Sequence, residues 1–478
     1  MWFGINRFHF LVLITWQFSL FFASQQIFPI FSNYVPEWRC GDGPATSDCE
    51  VFKSCGKNIT FVNVAFQSAA IEYGWICPPE AYSKSFFSQV QFAGVLLGTF
   101  SFGAVADKFG RKPVAVFALT LGILMNFLSG IAPSYQILFA IRFFVGLAVG
   151  GTLVVVCTFV MEMLLPQQRM ALRAFFNWGV ARLMVTLLCM AFPDWRISSF
   201  ACAIAALPAL LIIIFVLPES PTWLHNKGRL EDMRKSERHI AKVAGVEYIP
   251  VEHEKIENSK TVCEMLQTKG LLKRLFVLWS MWFVASICGY ATDLNSNTIT
   301  GDFFFNQILF SILIAVSKMI LVLVDTHVPG FKRRTLHQGA QIVVIICFLI
   351  LTVMTIYKET TSYAFLVVNL IGTVFIEYTW DACYLCAVES METSCRASGS
   401  GSCSLVARIG AIIAPSLNYA NLWWPPSVYL TVVILGTINL VISYLFLVET
   451  KNINLDSVHI NEREGNEEEG EAMIEKKH

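Results

Sequence analysis

Five charged residues stand inside stretches that are otherwise apolar: Arg182 in GVARLMV, Lys318 in ILIAVSKMILVLV, Glu377 and Asp381 in FIEYTWDA, and Arg408 in LVARIGA. A charge near the centre of a bilayer costs on the order of 2.5–3.5 kcal/mol on insertion scales, so each needs a partner or a water-filled cavity. Glu377 and Asp381 are four residues apart and share one helical face. A guanidinium offers two parallel donors to a carboxylate or sulfate, and a desolvated ammonium adds a point charge. Arg408 and Lys318 therefore suit recognition of an anionic group, with Arg182 as a third donor or as a mirror image of Arg408. A zwitterion fits as well, with its carboxylate on Arg408 and its ammonium near Glu377. The structural alternative is that Glu377 and Asp381 neutralise Arg408 and Lys318 and hold the chain in register. Tyr378 and Trp380, with Phe303, Phe304 and Phe305, supply aromatic surface near the same segments. Arg142 lies shallower.

Catalysis has little support. The sequence contains no GxxxxGK[ST] phosphate loop, no GxSxG elbow and no HExxH pair, and His225, His239, His253, His327 and His337 lack ligand spacing. No enzyme activity, metal or cofactor is expected.

The elements that must hold these charges are apolar runs. The 478 residues are 55% hydrophobic and 15% charged, with a mean hydropathy of +0.57, outside the balance of a soluble chain. Twelve runs have about the twenty residues needed to cross roughly 30 Å of hydrocarbon. They lie near 9–31, 85–106, 114–133, 136–162, 172–192, 197–217, 275–292, 303–324, 336–357, 362–387, 399–421 and 427–448. The first has no charged region before it and no small-residue cleavage site after it, so it reads as a retained helix. The chain is thus expected to be an all-α membrane protein in the lipid bilayer. Zero net charge gives no general attraction to nucleic acid.

Lys and Arg are sorted by loop: Lys108, Arg111 and Lys112 after the second run, Arg169 after the fourth, many in 218–274, and Lys332, Arg333 and Arg334 after the eighth. The positive-inside rule makes these loops cytoplasmic, and an even count of crossings puts both termini there. Segment 32–84 carries Cys40, Cys49, Cys55 and Cys77 and the sequon Asn58-Ile59-Thr60. Two disulfides and a glycan at Asn58 in an extracellular loop account for it, with three pairings open. Zinc is the weaker alternative because CxxC knuckles are missing.

The chain is also written twice. Glu162 with Arg169 and Glu389 with Arg396 stand 227 residues apart, GRK at 110–112 answers GFKRR at 330–334, LPES at 217–220 answers LVET at 447–450, and Arg182 and Arg408 are 226 apart. One six-helix unit repeated in parallel explains these offsets. It divides the chain into a half at 1–217, a cytosolic linker at 218–274, a second half at 275–448 and an acidic tail at 449–478. In GAVADKFGRKP, 103–113, Asp107 stands where it could meet Arg side chains of the other half. With Arg111, Glu162, Arg169, Glu219, Arg333, Glu389 and Arg396 it is expected to form a cytoplasmic latch, paired in one state and released in another. The alternative is a loop whose cations only fix topology.

Two six-helix halves with GAVADKFGRK resemble the major facilitator superfamily. VPEWRC at 35–40, RFFVGLAVGG at 142–151, PESPTWL at 218–224, and Glu389 through Arg396 to ARIG at 407–410 and Pro415 resemble more narrowly the solute carrier 22 family of organic cation, anion and carnitine transporters. The resemblance implies the major facilitator fold and a polyspecific secondary transporter of small organic ions at the plasma membrane, working by alternating access. In that family the Arg408 position tends to be basic in anion and carnitine carriers, and a basic residue occurs near the Lys318 position in anion carriers. Anions or zwitterions come first on this likeness and organic cations second. Thr222 and Ser390-Met391-Glu392 depart from the family pattern, which leaves a transport-dead sensor or scaffold as the rival. Facilitated diffusion, exchange for a counter-substrate and coupling to Na⁺ or H⁺ are all compatible with these residues.

Overall fold

The computed structural model describes residues 5–55, 58–250, 262–267, 269–299, 301–328, 330–391 and 393–449, without the side chains of 166–167, 263, 269 and 393–397. The crossings are α1 (Arg7–Ala23), α2 (Tyr82–Phe109), α3 (Arg111–Gly130), α4 (Tyr135–Met163), α5 (Trp178–Ala191), α6 (Trp195–Phe215), α7 (Lys269–Asn295), α8 (Phe303–His327), α9 (Arg333–Ile356), α10 (Tyr363–Glu389), α11 (Thr393–Ala420) and α12 (Ser427–Phe446). Among the described residues eleven spans are long and apolar enough to cross a membrane alone. The fifth crossing is a pair, 168–175 and 178–191, bent by 41°. Asn177 causes the bend: its side chain accepts from the Val180 amide (3.2 Å) and donates to the Ala174 carbonyl (2.9 Å), starting a new helix instead of continuing the old one.

Two further breaks matter for the site. α1 tightens into a 3₁₀ turn at Ser24–Ile27 before Pro29 opens a last short turn, so Gln25 and Gln26 sit at a discontinuity in the first crossing. α7 and α8 run past the apolar segments expected at 275–292 and 303–324, which brings Asp293 and Asp325 inside helices. Hydropathy ends a span at its last apolar residue, whereas the hydrogen-bonded helix continues through the charge.

Lipid tails are as apolar as the helix surfaces, so packing rather than water exclusion holds the helices together. α2 and α4 meet backbone to backbone through Gly94 and Gly98 facing Gly146 and Gly150. A Cβ on Gly98 would overlap the Leu147 carbonyl, and one on Gly146 the Gln91 carbonyl. The halves meet along α2 with α11 and α5 with α8. Ser85 Oγ donates to the Pro415 carbonyl (2.7 Å), Gln89 Nε2 to Ser416 Oγ (2.7 Å) and Asn177 Nδ2 to the Ala315 carbonyl (3.3 Å). Phe31 packs on Phe303 (ring centroids 5.6 Å apart) and Phe304 (6.3 Å), joining the halves at the end that bears the disulfide loop.

That loop holds a two-stranded antiparallel sheet, β1 (Trp38–Cys40) on β2 (Ile59–Phe61), with Arg39 opposite Thr60. Strands of three residues give no periodic signal, and sequence alone does not find them. Of the three pairings open to the loop cysteines, the fold has Cys40–Cys55 and Cys49–Cys77. Trp38 is buried against Phe52 between them, and Asn58 is exposed with its carbonyl accepting from Gly41. Helices at Pro221–Asn226, Leu230–Ala244 and Val262–Gln267 connect the halves, and 450–478 of the expected acidic tail lie outside the described residues.

Candidate functional site: two mirrored charge clusters and a midplane cluster

At the end expected to face the cytoplasm, α2 and α3 are joined by Gly110 alone, whose φ of +113° only glycine adopts readily. Asp107 and Lys108 thus close one helix while Arg111 and Lys112 open the next. The Glu219 carboxylate accepts from the Arg111 (3.0 Å) and Lys112 (3.1 Å) amides, satisfying donors left over at the start of α3 and opposing the helix dipole there. Arg111 pairs with Asp107 (2.5 Å) and Glu162 (3.5 Å). The second half repeats the pattern. Glu449 accepts from the Arg333 (2.9 Å) and Arg334 (3.1 Å) amides at the start of α9, and Arg333 pairs with Asp325 (2.5 Å) and Glu389 (3.0 Å).

Asp107 meets Arg111 of its own half, and the ion pairs of the described residues at this end stay within a half, with Asp107 and Asp325 on the second crossing of each half and Glu162 and Glu389 on the fourth. Arg169 donates to the Leu164 (3.1 Å) and Met161 (2.8 Å) carbonyls, covering the open C-terminal end of α4. The side chain of Arg396 lies outside the described residues.

Deeper in the bundle the repeat mates differ. Arg182 of α5, 1% exposed, reaches across the halves to Asp293 of α7 and to Gln307 Oε1 of α8 (2.9 Å). Arg408 of α11, 8% exposed, also reaches across, but to the Gln26 amide oxygen at the α1 break (3.4 Å) and to the Tyr290 hydroxyl (3.1 Å). Tyr290 in turn donates to the same Gln26 oxygen (2.8 Å). Among the described residues no carboxylate pairs with Arg408. Both acids of α10 instead hold Lys318 of α8, Glu377 at 2.9 Å and Asp381 at 2.8 Å. The alternative in which these acids share Arg408 and Lys318 is therefore not the arrangement adopted. One-turn spacing aims both carboxylates at the same ammonium.

Arg182, Lys318 and Arg408 are balanced in number by Asp293, Glu377 and Asp381, but unevenly in space. Lys318 has one carboxylate in excess, while the charge of Arg408 is met by neutral oxygens. Tyr378 donates to the Ser317 carbonyl (3.3 Å) and braces α10 on α8. Phe303 and Phe304 belong to the contact at the disulfide-loop end rather than to this cluster. Tyr384 was not singled out by sequence. It is 51% exposed, interacts electrostatically with Arg408 and Lys318, and packs on Trp282 (4.4 Å). Asp293 escaped because the apolar run stops one residue before it. Gln26 and Tyr290 carry no signal in sequence, since an uncharged polar residue in an apolar run is commonplace. Arg142 is held apart from this cluster by Asn126 Oδ1 (3.1 Å), Gln25 Oε1 (3.4 Å) and the Phe28 ring (4.4 Å).

Comparison with known proteins agrees with this architecture. Residues 55–461 match the family model described as sugar (and other) transporter. An uncharacterized protein of Caenorhabditis elegans is 36% identical, over 98% of this chain and 97% of its own. Solute carrier family 22 member 15-like of Xenopus laevis is 26% identical, over 91% and 89%. The organic cation transporter protein of Drosophila melanogaster is 27% identical, over 88% and 78%. Among solved structures, the inward-open xylose transporter XylE from E. coli superposes with a TM-score of 0.66 at 14% identity, covering 94% of this chain and 98% of that one, a likeness of fold. The chain belongs to the sugar (and other) transporter family and is a multi-pass major facilitator transporter of solute carrier 22 type.

Proposed function

We propose that the protein carries organic anions or zwitterions across the plasma membrane by alternating access, with Arg408 reading the substrate carboxylate. The observation that supports this is the buried guanidinium of Arg408 at the junction of the halves, hydrogen-bonded among the described residues only to the neutral oxygens of Gln26 and Tyr290. Arg182 and Lys318 already have carboxylates, so they hold the frame and leave Arg408 as the charge available to a ligand. The excess acid beside Lys318 favours an ammonium at the other end of the substrate, and Tyr384 and Trp380 supply apolar walls. The same excess, together with relatives named as organic cation transporters, supports a second reading in which the substrate is a cation.

Both termini lie in the cytoplasm in this scheme, consistent with the Lys and Arg clusters at one end and two disulfides at the other. Asp107, 70% exposed and paired with Arg111 alone among the described residues, is free to reach the other half when the cytoplasmic end closes. The test is uptake of labelled benzoate, carnitine and tetraethylammonium into cells expressing the protein, with Arg408→Gln alongside. Benzoate or carnitine uptake that disappears in Arg408→Gln supports the assignment. Tetraethylammonium uptake that survives it moves the site to Glu377 and Asp381.

A further inference from the structure

Gln26 Oε1 receives two donors, Arg408 Nη1 at 3.4 Å and the Tyr290 hydroxyl at 2.8 Å. Its origin gives the contact meaning. Gln26 belongs to the first half, at the break in α1, while Arg408 and Tyr290 belong to α11 and α7 of the second. The break is anchored to its own half through neighbouring Gln25, whose backbone carbonyl accepts from Gln91 Nε2 (2.6 Å) and whose side-chain oxygen accepts from Arg142 (3.4 Å). The amide oxygen thus joins the halves through Arg408, which has no carboxylate partner among the described residues.

We infer that Gln26 acts as a surrogate for the substrate's acceptor oxygen, so that the empty carrier can reorient and the protein works as a uniporter, without needing a counter-substrate. The inference rests on Arg408 as the substrate-reading residue. A carrier must pass through a state in which both ends are shut and its interior is dry. A guanidinium with unmet donors is unfavourable there, and that cost confines a carrier to exchange when only substrate can meet them. Here Tyr290 and Gln26 meet those of Nη1 without substrate, while Nε is buried with no acceptor among the described residues, so the empty state is eased and not fully satisfied. Incoming carboxylate displaces a neutral amide, a weaker acceptor than a charged oxygen, so the surrogate gives way to substrate. Gln26 is a positioning residue in this scheme: it touches Arg408, and it sets the rate of the return step.

The experiment compares net uptake into substrate-free proteoliposomes with exchange into liposomes preloaded with the same unlabelled solute, using labelled benzoate and carnitine. Wild type is expected to show net uptake within about twofold of exchange. Gln26→Leu, which keeps the bulk and loses the acceptor, is expected to slow net uptake by about tenfold or more while exchange stays within about twofold. Gln26→Glu places a permanent carboxylate on Arg408 and is expected to abolish both modes for benzoate. Gln26→Asn, with the same amide on a shorter arm, serves as the folding control and should fall between wild type and Gln26→Leu in net uptake. Equal loss of both modes in Gln26→Leu, or no loss in either, overturns the inference, as does wild-type uptake that requires preloading. The Arg408→Gln variant separates the two levels. If it transports like wild type, or if wild type carries neither probe, the substrate assignment fails and the inference with it. If it is inactive and Gln26→Leu shows no split, only the inference fails.

Discussion

The charged end and the midplane were shaped by the same duplication and have diverged to different degrees. At the charged end Asp107, Arg111, Glu162 and Glu219 are answered by Asp325, Arg333, Glu389 and Glu449, contact for contact. At the midplane the mates Arg182 and Arg408 both point across the halves, yet one ends on a carboxylate and the other on an amide and a hydroxyl. Symmetry is kept in the contacts of the charged end and lost in the partners of the two arginines, where the proposed function puts the substrate. Arg182 is a closed ion pair that holds the frame. Arg408 is a cation whose partners among the described residues are neutral.

The largest expected effect follows from breaking the closed pair. Asp293→Asn leaves Arg182 buried with its charge unmet and should cost about 3–5 kcal/mol, seen as loss of surface expression and a lower Tm in detergent. The double variant Arg182→Gln with Asp293→Asn should recover most of that loss. Arg408→Gln, whose partners are neutral, should cost no more than about 1 kcal/mol of stability. Similar Tm losses in Asp293→Asn and Arg408→Gln would erase the distinction between the two arginines.

A smaller effect is expected at the charged end. Asp107→Ala removes an exposed pair worth at most about 1 kcal/mol, so folding and surface expression should hold. Turnover should nevertheless fall several-fold if Asp107 re-pairs when the cytoplasmic end closes, whereas Asp325→Ala in the more buried mirrored cluster should also lower stability. Unchanged transport in Asp107→Ala would reduce the cluster to a topology signal.

The smallest effect belongs to Glu72 in the disulfide loop, which pairs with Arg196 (2.5 Å). Burial pushes its carboxyl up, but hydrogen bonds from Arg196 and Trp195 together outweigh it and hold the pKa below the ordinary value. With the folded pKa depressed, the stabilisation is fully present above the unfolded value near 4.5 and is lost as pH falls through the folded one. Partial exposure keeps the contribution small. Thermal denaturation of wild type and Glu72→Gln should converge as pH falls below the folded pKa and separate modestly above the unfolded one. A difference that does not change with pH would assign Glu72 to packing alone.

Most of the frame was legible because bilayers demand long apolar helices and the duplication wrote its motifs twice. LVET at 447–450 had already marked a counterpart of LPES at 217–220, and the structure adds the use: Glu219 and Glu449 each cap the start of a helix. The intramembrane cations were legible for the same reason, since a charge in an apolar run is conspicuous. Their partners were not. Asp293 sat one residue beyond a hydropathy boundary, Gln26 lay in a helix break that no apolar count detects, and Lys318 took both acids of α10 when spacing alone allowed Arg408 a share. Pairing is a three-dimensional choice made by which half carries which helix, and only the fold decides it.

The central claim is that Arg408 is the charge that reads substrate. It is tested most directly by the ratio of benzoate to tetraethylammonium uptake in wild type and in Arg408→Asp, at matched surface expression. The account predicts benzoate preference in wild type and its loss or reversal in the variant. A wild-type preference for tetraethylammonium that the substitution leaves unchanged would contradict it and would make Arg408 a structural residue like its mate.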